Sequence, residues 1–291
     1  PSFIGVDGWG GHAIRADFAE RMLTNDGNSP RRKATFLTPD EFLYEMKWNG
    51  LKDAGGNYIE HTREELEVSN QIGIKDPGGL YGFGGYFANK FIAWKEDNVK
   101  GNWGFRNLTI FRYAEVLLNY AEAKAERGTL TQADLDLSIF PIRERAGMPA
   151  LDMAAANADP DPYQANLYKQ VNGENKGVIL EIRRERRIEL VMESFRWDDV
   201  IRWKEGQTLV EQFKGMYFPG PGVYDLDRDG KIDVCLYDGK KPDSGKDIQY
   251  LKIGSDVMLE NGSSGNIVVN PHLSKEWDEN RDYLYPCLLY T

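Results

Sequence analysis

The most specific local chemistry in the chain lies at 225–234, DLDRDGKIDV. Asp225, Asp227, Asp229 and Asp233 take the first, third, fifth and ninth places of a calcium-loop spacing, with Gly230 at the sharp turn and the carbonyl of Lys231 next in line. A hard cation needs several oxygens converging from one short loop, and this spacing supplies them. The twelfth place holds Leu236 instead of a bidentate glutamate, and Pro219 and Pro221 stand where a flanking helix would run. Two readings follow: a structural Ca2+ site completed by water or a distant carboxylate, or an acidic turn capped by glycine. His12, His61 and His272 are the only histidines and form no pair at metal spacing, which speaks against zinc. No GxSxG elbow occurs, and neither Cys235 nor Cys287 sits in a nucleophile motif. A chain with 46 acidic residues always has room for the two carboxylates of a glycoside hydrolase, yet no pair is singled out by pattern.

The element that organises the rest is Glu181 to Gly206, EIRRERRIELVMESFRWDDVIRWKEG. Ile182, Ile188, Val191, Met192 and Phe195 form a helical apolar stripe that must face a core. Glu181, Glu185, Glu189 and Glu193 recur every fourth residue and stack into one acidic ridge. Arg184, Arg186 and Arg196 each stand three residues from one of these carboxylates, at pairing distance on a helix. So many charges leave three readings open: a solvated salt-bridged face, a partly buried Arg–Glu network that fixes how helices dock, or an anion-binding or catalytic cluster. The absence of His, Cys or Ser at catalytic spacing in this run weakens the third.

ERRIEL followed by ES-FRW-DDVIRW resembles the signature helix of the SusD/RagB family, glycan-binding lipoproteins of the Bacteroidetes outer membrane. FRYAEVLLNYAEAKAERG with IRERAGMP after it, at 111–149, and WDENRDYLYP, at 277–286, resemble further family segments in the same order. SPRRKATFLT at 29–38 is similar to the family's "DPR…T" passage, with Ser29 where Asp is common, and GYFANKFIAW also fits. The resemblance covers about residues 28–286 and corresponds to the C-terminal half of a family member; the family's N-terminal helical half and lipid-anchor cysteine have no counterpart in this sequence. It implies non-catalytic capture of oligosaccharide on the outside of the cell outer membrane, for uptake through a TonB-dependent β-barrel transporter of the SusC type. It also implies that ligand-contacting aromatics sit in loops upstream of the RYAEVLL helix, where Trp9, Trp48 and Tyr58 lie beside glycines or Asn. An aromatic plane there would pack on the C–H face of a sugar, while Asn, Asp and Arg bind its hydroxyls. A glycoside hydrolase and a helical protein–protein adaptor without glycan binding are the rival functions.

Composition narrows the field further. A net charge of −10 argues against a phosphate-backbone partner, which requires a basic surface. Aromatics make up 12% of the chain, enough for both a core and a stacking surface. No run reaches the roughly 18 apolar residues of a membrane span, and PSFIGVDGWGGH has no signal-peptide pattern, so the sequence by itself reads as soluble.

The expected fold is mainly α: a tetratricopeptide-like helical hairpin core with long loops and a few short strands. The chain divides into a loop-rich, ligand-side segment at 1–110, a helical core at 111–206, and an irregular Gly/Asp-rich segment at 207–291. Short helices are expected at 13–23 and 39–48. The Gly-rich stretch 73–85 lacks any phosphate-loop pattern and reads as a surface loop. Phe111–Arg127 is a helix with Ala114, Leu117, Ala121 and Ala125 on one face, closed by Gly128. Thr131 and Asp134 form a capping box for the next helix, which Pro141 should kink or split and Gly147 should end. The tetratricopeptide character comes from the resemblance, since no second copy appears at a period of about 34 residues. Residues 150–172 read as a surface loop, and 207–276 as irregular with short strands such as VCLY and NIVV.

Overall fold

The computed structural model describes residues 14–38, 40–41, 54–55, 86–90, 109–226, 228–243, 245 and 248–284. Trp9, Trp48, Tyr58, Asp227, Cys287 and the Gly-rich stretch 73–85 lie outside them; of the helix expected at 39–48 only 40–41 are described, and these are helical. The chain forms two compact units, each discontinuous in sequence. A helical unit comprises Ser29–Arg31, Asn107–Glu211 and Ser274–Thr291, and a strand-bearing unit comprises Pro1–Asn28, Arg32–Arg106 and Gln212–Leu273.

In the helical unit, α3 (Tyr113–Glu126) and α4 (Gln132–Arg145) make the expected hairpin; α1 and α2 come earlier in the chain, at Ala16–Asp26 and Pro30–Thr35. Leu117, Ala121 and Ala125 of α3 are buried against Leu135, Ile139 and Ile142 of α4, and the two alanines let the helices approach closely. The capping box is present: Asp134 donates its backbone N–H to the Thr131 hydroxyl and accepts the Thr131 N–H at 2.9 Å. Pro141 does not split α4, which runs unbroken from Gln132 to Arg145. The carbonyl it deprives of a partner belongs to Leu137, and both residues are exposed, so water takes the place of the lost N–H.

Residues 150–172 are not a loop throughout. They carry α5 (Met153–Ala158) and α6 (Pro162–Leu167), each opened by an aspartate whose carboxylate accepts the third helical N–H: Asp152 from Ala155 and Asp161 from Gln164, both at 2.8 Å. The Asp and Pro residues that suggested a loop are helix starts. The signature run is likewise two helices, α7 (Lys176–Glu189) and α8 (Phe195–Trp203), separated by a turn in which Met192 and Ser194 adopt left-handed backbone angles.

The strand-bearing unit holds three small sheets. The first pairs β1 (Phe36–Leu37) with β2 (Phe87–Ala88), and the second pairs β3 (Phe213–Phe218) with β7 (Gly265–Val269), both antiparallel. In the third, β4 (Gly222–Tyr224) lies antiparallel to β5 (Val234–Tyr237), which runs parallel to β6 (Gln249–Lys252). VCLY and NIVV are both strands, as their β-branched and aromatic content predicts. Their inward residues, Val234, Leu236, Ile267 and Val269, join Phe218 and Leu251 in one apolar core, so 207–276 is more ordered than its Gly/Asp texture suggests. On α1, Glu20 accepts the Asn266 side-chain N–H of β7 at 2.9 Å.

Candidate functional site

The charged helix α7 faces inward. Glu185 is fully buried and accepts Nη1 of Arg31 on one oxygen and Nη1 of Arg143 on the other, each at 2.6 Å. Glu189 accepts Arg112 and Arg145 at 2.6 Å, and Arg112 also reaches Glu193 at 2.6 Å. Arg186 holds both oxygens of Asp199 on α8 at 2.8 Å and Asn119 of α3 at 2.6 Å. Glu122 of α3 accepts the Trp203 indole N–H at 2.6 Å and the Arg202 guanidinium. Of the three spacings read from sequence, only Glu181–Arg184 closes within the helix; Arg186 turns to Asp199, and Arg196 donates to the Tyr168 hydroxyl at 2.9 Å. Beyond Glu181, the glutamate ridge is therefore neutralised mainly from α2, α4 and Arg112 at the start of α3, with Arg184 the contribution of its own helix.

Burial alone would raise the Glu185 carboxyl, but Arg31, Arg184 and Arg143 hold it below the ordinary range. Glu122 behaves likewise, burial being outweighed by Arg202 and the Trp203 N–H. A general acid needs a carboxyl raised toward neutrality and a proton to give, and these two are pushed the other way. The network is suited to docking helices and unsuited to proton transfer, which selects the buried-network reading.

One wall of the same unit carries aromatic rings at its surface. Trp197 of α8 is 45% exposed, and its ring centroid lies 6.0 Å from that of Trp277 at an interplanar angle of 67°. Trp277 stacks edge-on to Tyr283 at 5.0 Å. Gly206 lets the indole in: a Cβ there would stand 1.9 Å from Cε2 of Trp277. The Gly206 N–H donates to the Tyr283 hydroxyl at 2.9 Å, which donates in turn to Glu279 at 3.0 Å. Gln207 donates to Glu279 at 2.9 Å. Sequence reasoning placed the sugar-stacking aromatics upstream and passed over this set, whose members are 86 positions apart at the extremes (197 to 283). The recurrence of Trp and Tyr in the two segments was the available signal.

The acidic loop of the strand-bearing unit is folded on its own backbone. Asp225 Oδ2 accepts the Gly230 N–H at 2.7 Å, Asp229 Oδ1 that of Lys231 at 2.8 Å, and Asp233 Oδ2 that of Leu226 at 2.6 Å. Asp225 Oδ1 is buried and has no hydrogen-bond partner among the described residues. Gly230 has φ +87°, the left-handed angle that the turn requires. Among the described residues no three His, Cys, Asp or Glu side chains converge to hold an ion; Asp227, the central member of the predicted set, lies outside them. The upstream aromatics Trp9, Trp48 and Tyr58 also lie outside, so the structure neither gathers nor separates them. Among the described residues no helix is long and apolar enough to cross a membrane.

Solved structures with a similar trace include a SusD-like protein from Bacteroides fragilis NCTC 9343, at 21% identity and a TM-score of 0.45 over 89% of this chain and 35% of that one. A SusD-like carbohydrate-binding protein from the same strain matches at 23% identity and a TM-score of 0.40, over 69% of this chain and 35% of that one. The chain thus spans about a third of the length of these structures. No curated protein matches it. The model of the SusD family matches residues 5–286, nearly the whole sequence, and the chain belongs to that family.

Proposed function

We propose that this protein binds oligosaccharide at the outer face of the outer membrane without altering it, and hands it to a TonB-dependent transporter of the SusC type. The observation that carries the reading is the family match over residues 5–286. The lowered carboxyls of Glu122 and Glu185 agree with a holding role for this network and not a hydrolytic one. The α3–α4 hairpin is proposed as the family's tetratricopeptide-like unit, and Trp9, Trp48 and Tyr58 as ring-stacking contacts to the glycan. Native affinity electrophoresis across plant, host and microbial polysaccharides tests the function. Retardation by one polysaccharide class with no product released is the expected result; product release would favour a glycoside hydrolase, and a blank panel would favour a protein adaptor.

A second reading, structural calcium, is favoured by Asp225 Oδ1, a buried carboxylate oxygen with no hydrogen-bond partner among the described residues while its twin is taken by Gly230. Asp225, Asp227, Asp229 and Asp233, with the Lys231 carbonyl, are the residues that would hold the ion. A divalent cation would supply charge relief to four aspartates crowded into nine residues.

A further inference from the structure

The α3–α4 hairpin turns one apolar face to water. Tyr113, Val116 and Tyr120 recur at i, i+3 and i+7 on α3, and Leu137 and Pro141 at i and i+4 on α4. The Tyr120 hydroxyl donates to Asp134 at 2.5 Å, three residues from Leu137, so the two rows lie side by side along one groove. Ile110 and Phe111 extend the face just before α3; Phe111 is 83% exposed and Leu137 62%. Single exposed apolar residues are ordinary, and the continuity of these is what counts. With Ile110, Phe111, Tyr113, Val116, Tyr120 and Leu137 exposed as they are, roughly 700 Å² of these side chains stands in water, beyond the about 300–600 Å² of the largest patch on a typical monomer and near the about 800 Å² per partner of a standard interface.

The surroundings of the groove indicate what covers it. Its lining is aliphatic and aromatic, and the Tyr120 hydroxyl is spent on Asp134, so it has little to offer the hydroxyls of a sugar. The cations beside it are engaged within the helical unit: Lys124 lies 3.3 Å from Asp134, and Arg112 and Arg145 bond Glu189. On the outward side of α4 stand Asp136 and Glu144, both exposed. A second copy would bring more acids to a chain that already carries −10, whereas a partner with Lys or Arg beside an apolar ridge gains from them. Two antiparallel helices seat a third in the groove between them, and α3 and α4 are each 14 residues long, about four turns. We infer that the α3–α4 groove receives an amphipathic helix of a partner protein, about four turns long, whose apolar ridge is flanked by Lys or Arg.

The groove is separate from glycan capture, and either can stand without the other. The test titrates the whole chain into a fluorescein-labelled synthetic helix of four turns, with Leu at i, i+3 and i+7 and Lys on both flanks, and into the same peptide with Glu in place of Lys. Fluorescence anisotropy should show the Lys helix bound about tenfold more tightly than the Glu helix. Leu137→Asp and Val116→Asp should each weaken binding of the Lys helix about tenfold, with the melting temperature and the retardation by polysaccharide unchanged. The added carboxylate would strengthen a merely electrostatic attraction for Lys, so a loss identifies the apolar groove. Equal binding of the two peptides, no binding of the Lys helix, or a Leu137→Asp variant that binds it as well as wild type overturns the inference. So does a wild type that sediments as a dimer and becomes monomeric with Leu137→Asp, which gives the face to a second copy. Loss of polysaccharide retardation with Leu137→Asp in a protein that stays folded gives it to the glycan instead.

Discussion

Both units bury an apolar core, but the helical unit adds a buried network of charged pairs, whereas the acidic loop of the strand-bearing unit buries Asp233 and leaves Asp229 at the surface. In the first, Glu185, Glu189, Arg186 and Asp199 are each no more than 5% exposed and each has a partner on a different helix. In the second, Val234, Leu236, Ile267 and Phe218 fill the core, and Asp225 and Asp229 bond to neighbouring backbone N–H groups a few residues away. Long-range ionic contacts hold one region and short-range ones shape the other. The first should therefore be brittle to single substitutions and to acid, the second responsive to ions.

The largest test of that contrast removes one charge from α7. Arg186→Ala leaves Asp199 with Arg202 alone, and Glu189→Ala leaves Arg112 with Glu193 alone; each should cost more than the about 0.2–1 kcal/mol of an exposed pair, toward the about 3–5 of a broken buried one, in chemical denaturation. A loss under about 1 kcal/mol for both would place the network among surface pairs. The same network sets an acid limit. Glu185 and Glu122 are held below the carboxyl range of an unfolded chain, about 4.3, so their stabilisation is complete above that value and disappears as pH falls through their lowered folded-state range. Glu205, which burial raises, works in the opposite sense and softens the slope. A melting temperature flat from pH 5 down to 2 would remove the network from the account.

A smaller effect is expected at Gly206→Ala. The added methyl must displace the Trp277 ring, which overpacking places at about 1–3 kcal/mol, and tryptophan fluorescence should report the ring leaving. The smallest lies in the other unit. With the twelfth-place carboxylate absent, calcium affinity should be about 10⁻⁴ to 10⁻³ M, so about 1 mM calcium should stabilise by only about 0.4–1.4 kcal/mol. Asp225→Ala with Asp229→Ala should abolish that rise and leave glycan selectivity intact. A melting curve that ignores chelator, with no heat on calcium titration, would reduce the loop to an acidic turn. Loss of glycan binding under chelator would move the ion to the ligand site.

What the sequence conveyed follows the range of the interactions. Thr131 with Asp134, Gly128 after α3, and the β-rich VCLY and NIVV act within a few residues, and each was legible. Pro141 does not split its helix: that outcome depends on Leu137 facing water, which composition cannot show. Asp152 and Asp161 start helices in a stretch whose composition suggests a loop, since a cap and a turn use the same side-chain chemistry. The partners of α7 were legible as types but not as pairs: nothing in its spacing says that Glu185 belongs to Arg31. The aromatic corner was hidden for the same reason, its rings being distant in sequence and fixed by a glycine whose role is to be absent.

The bond between Arg31 and Glu185 also has a consequence in time. The two residues are separated by 154 positions, and the chain enters the helical unit at Ser29–Arg31, departs, and returns at Asn107. At a synthesis rate of about 5–20 residues per second, Arg31 emerges roughly 8–30 s before its carboxylate exists. Arg32 of α2 can already pair with Glu41, but Arg31 must wait for Glu185, and the helical unit cannot be completed in the order in which it is made. A nascent chain stalled before Glu185 should leave Arg31 open to proteolysis by trypsin, and one stalled well beyond it should not.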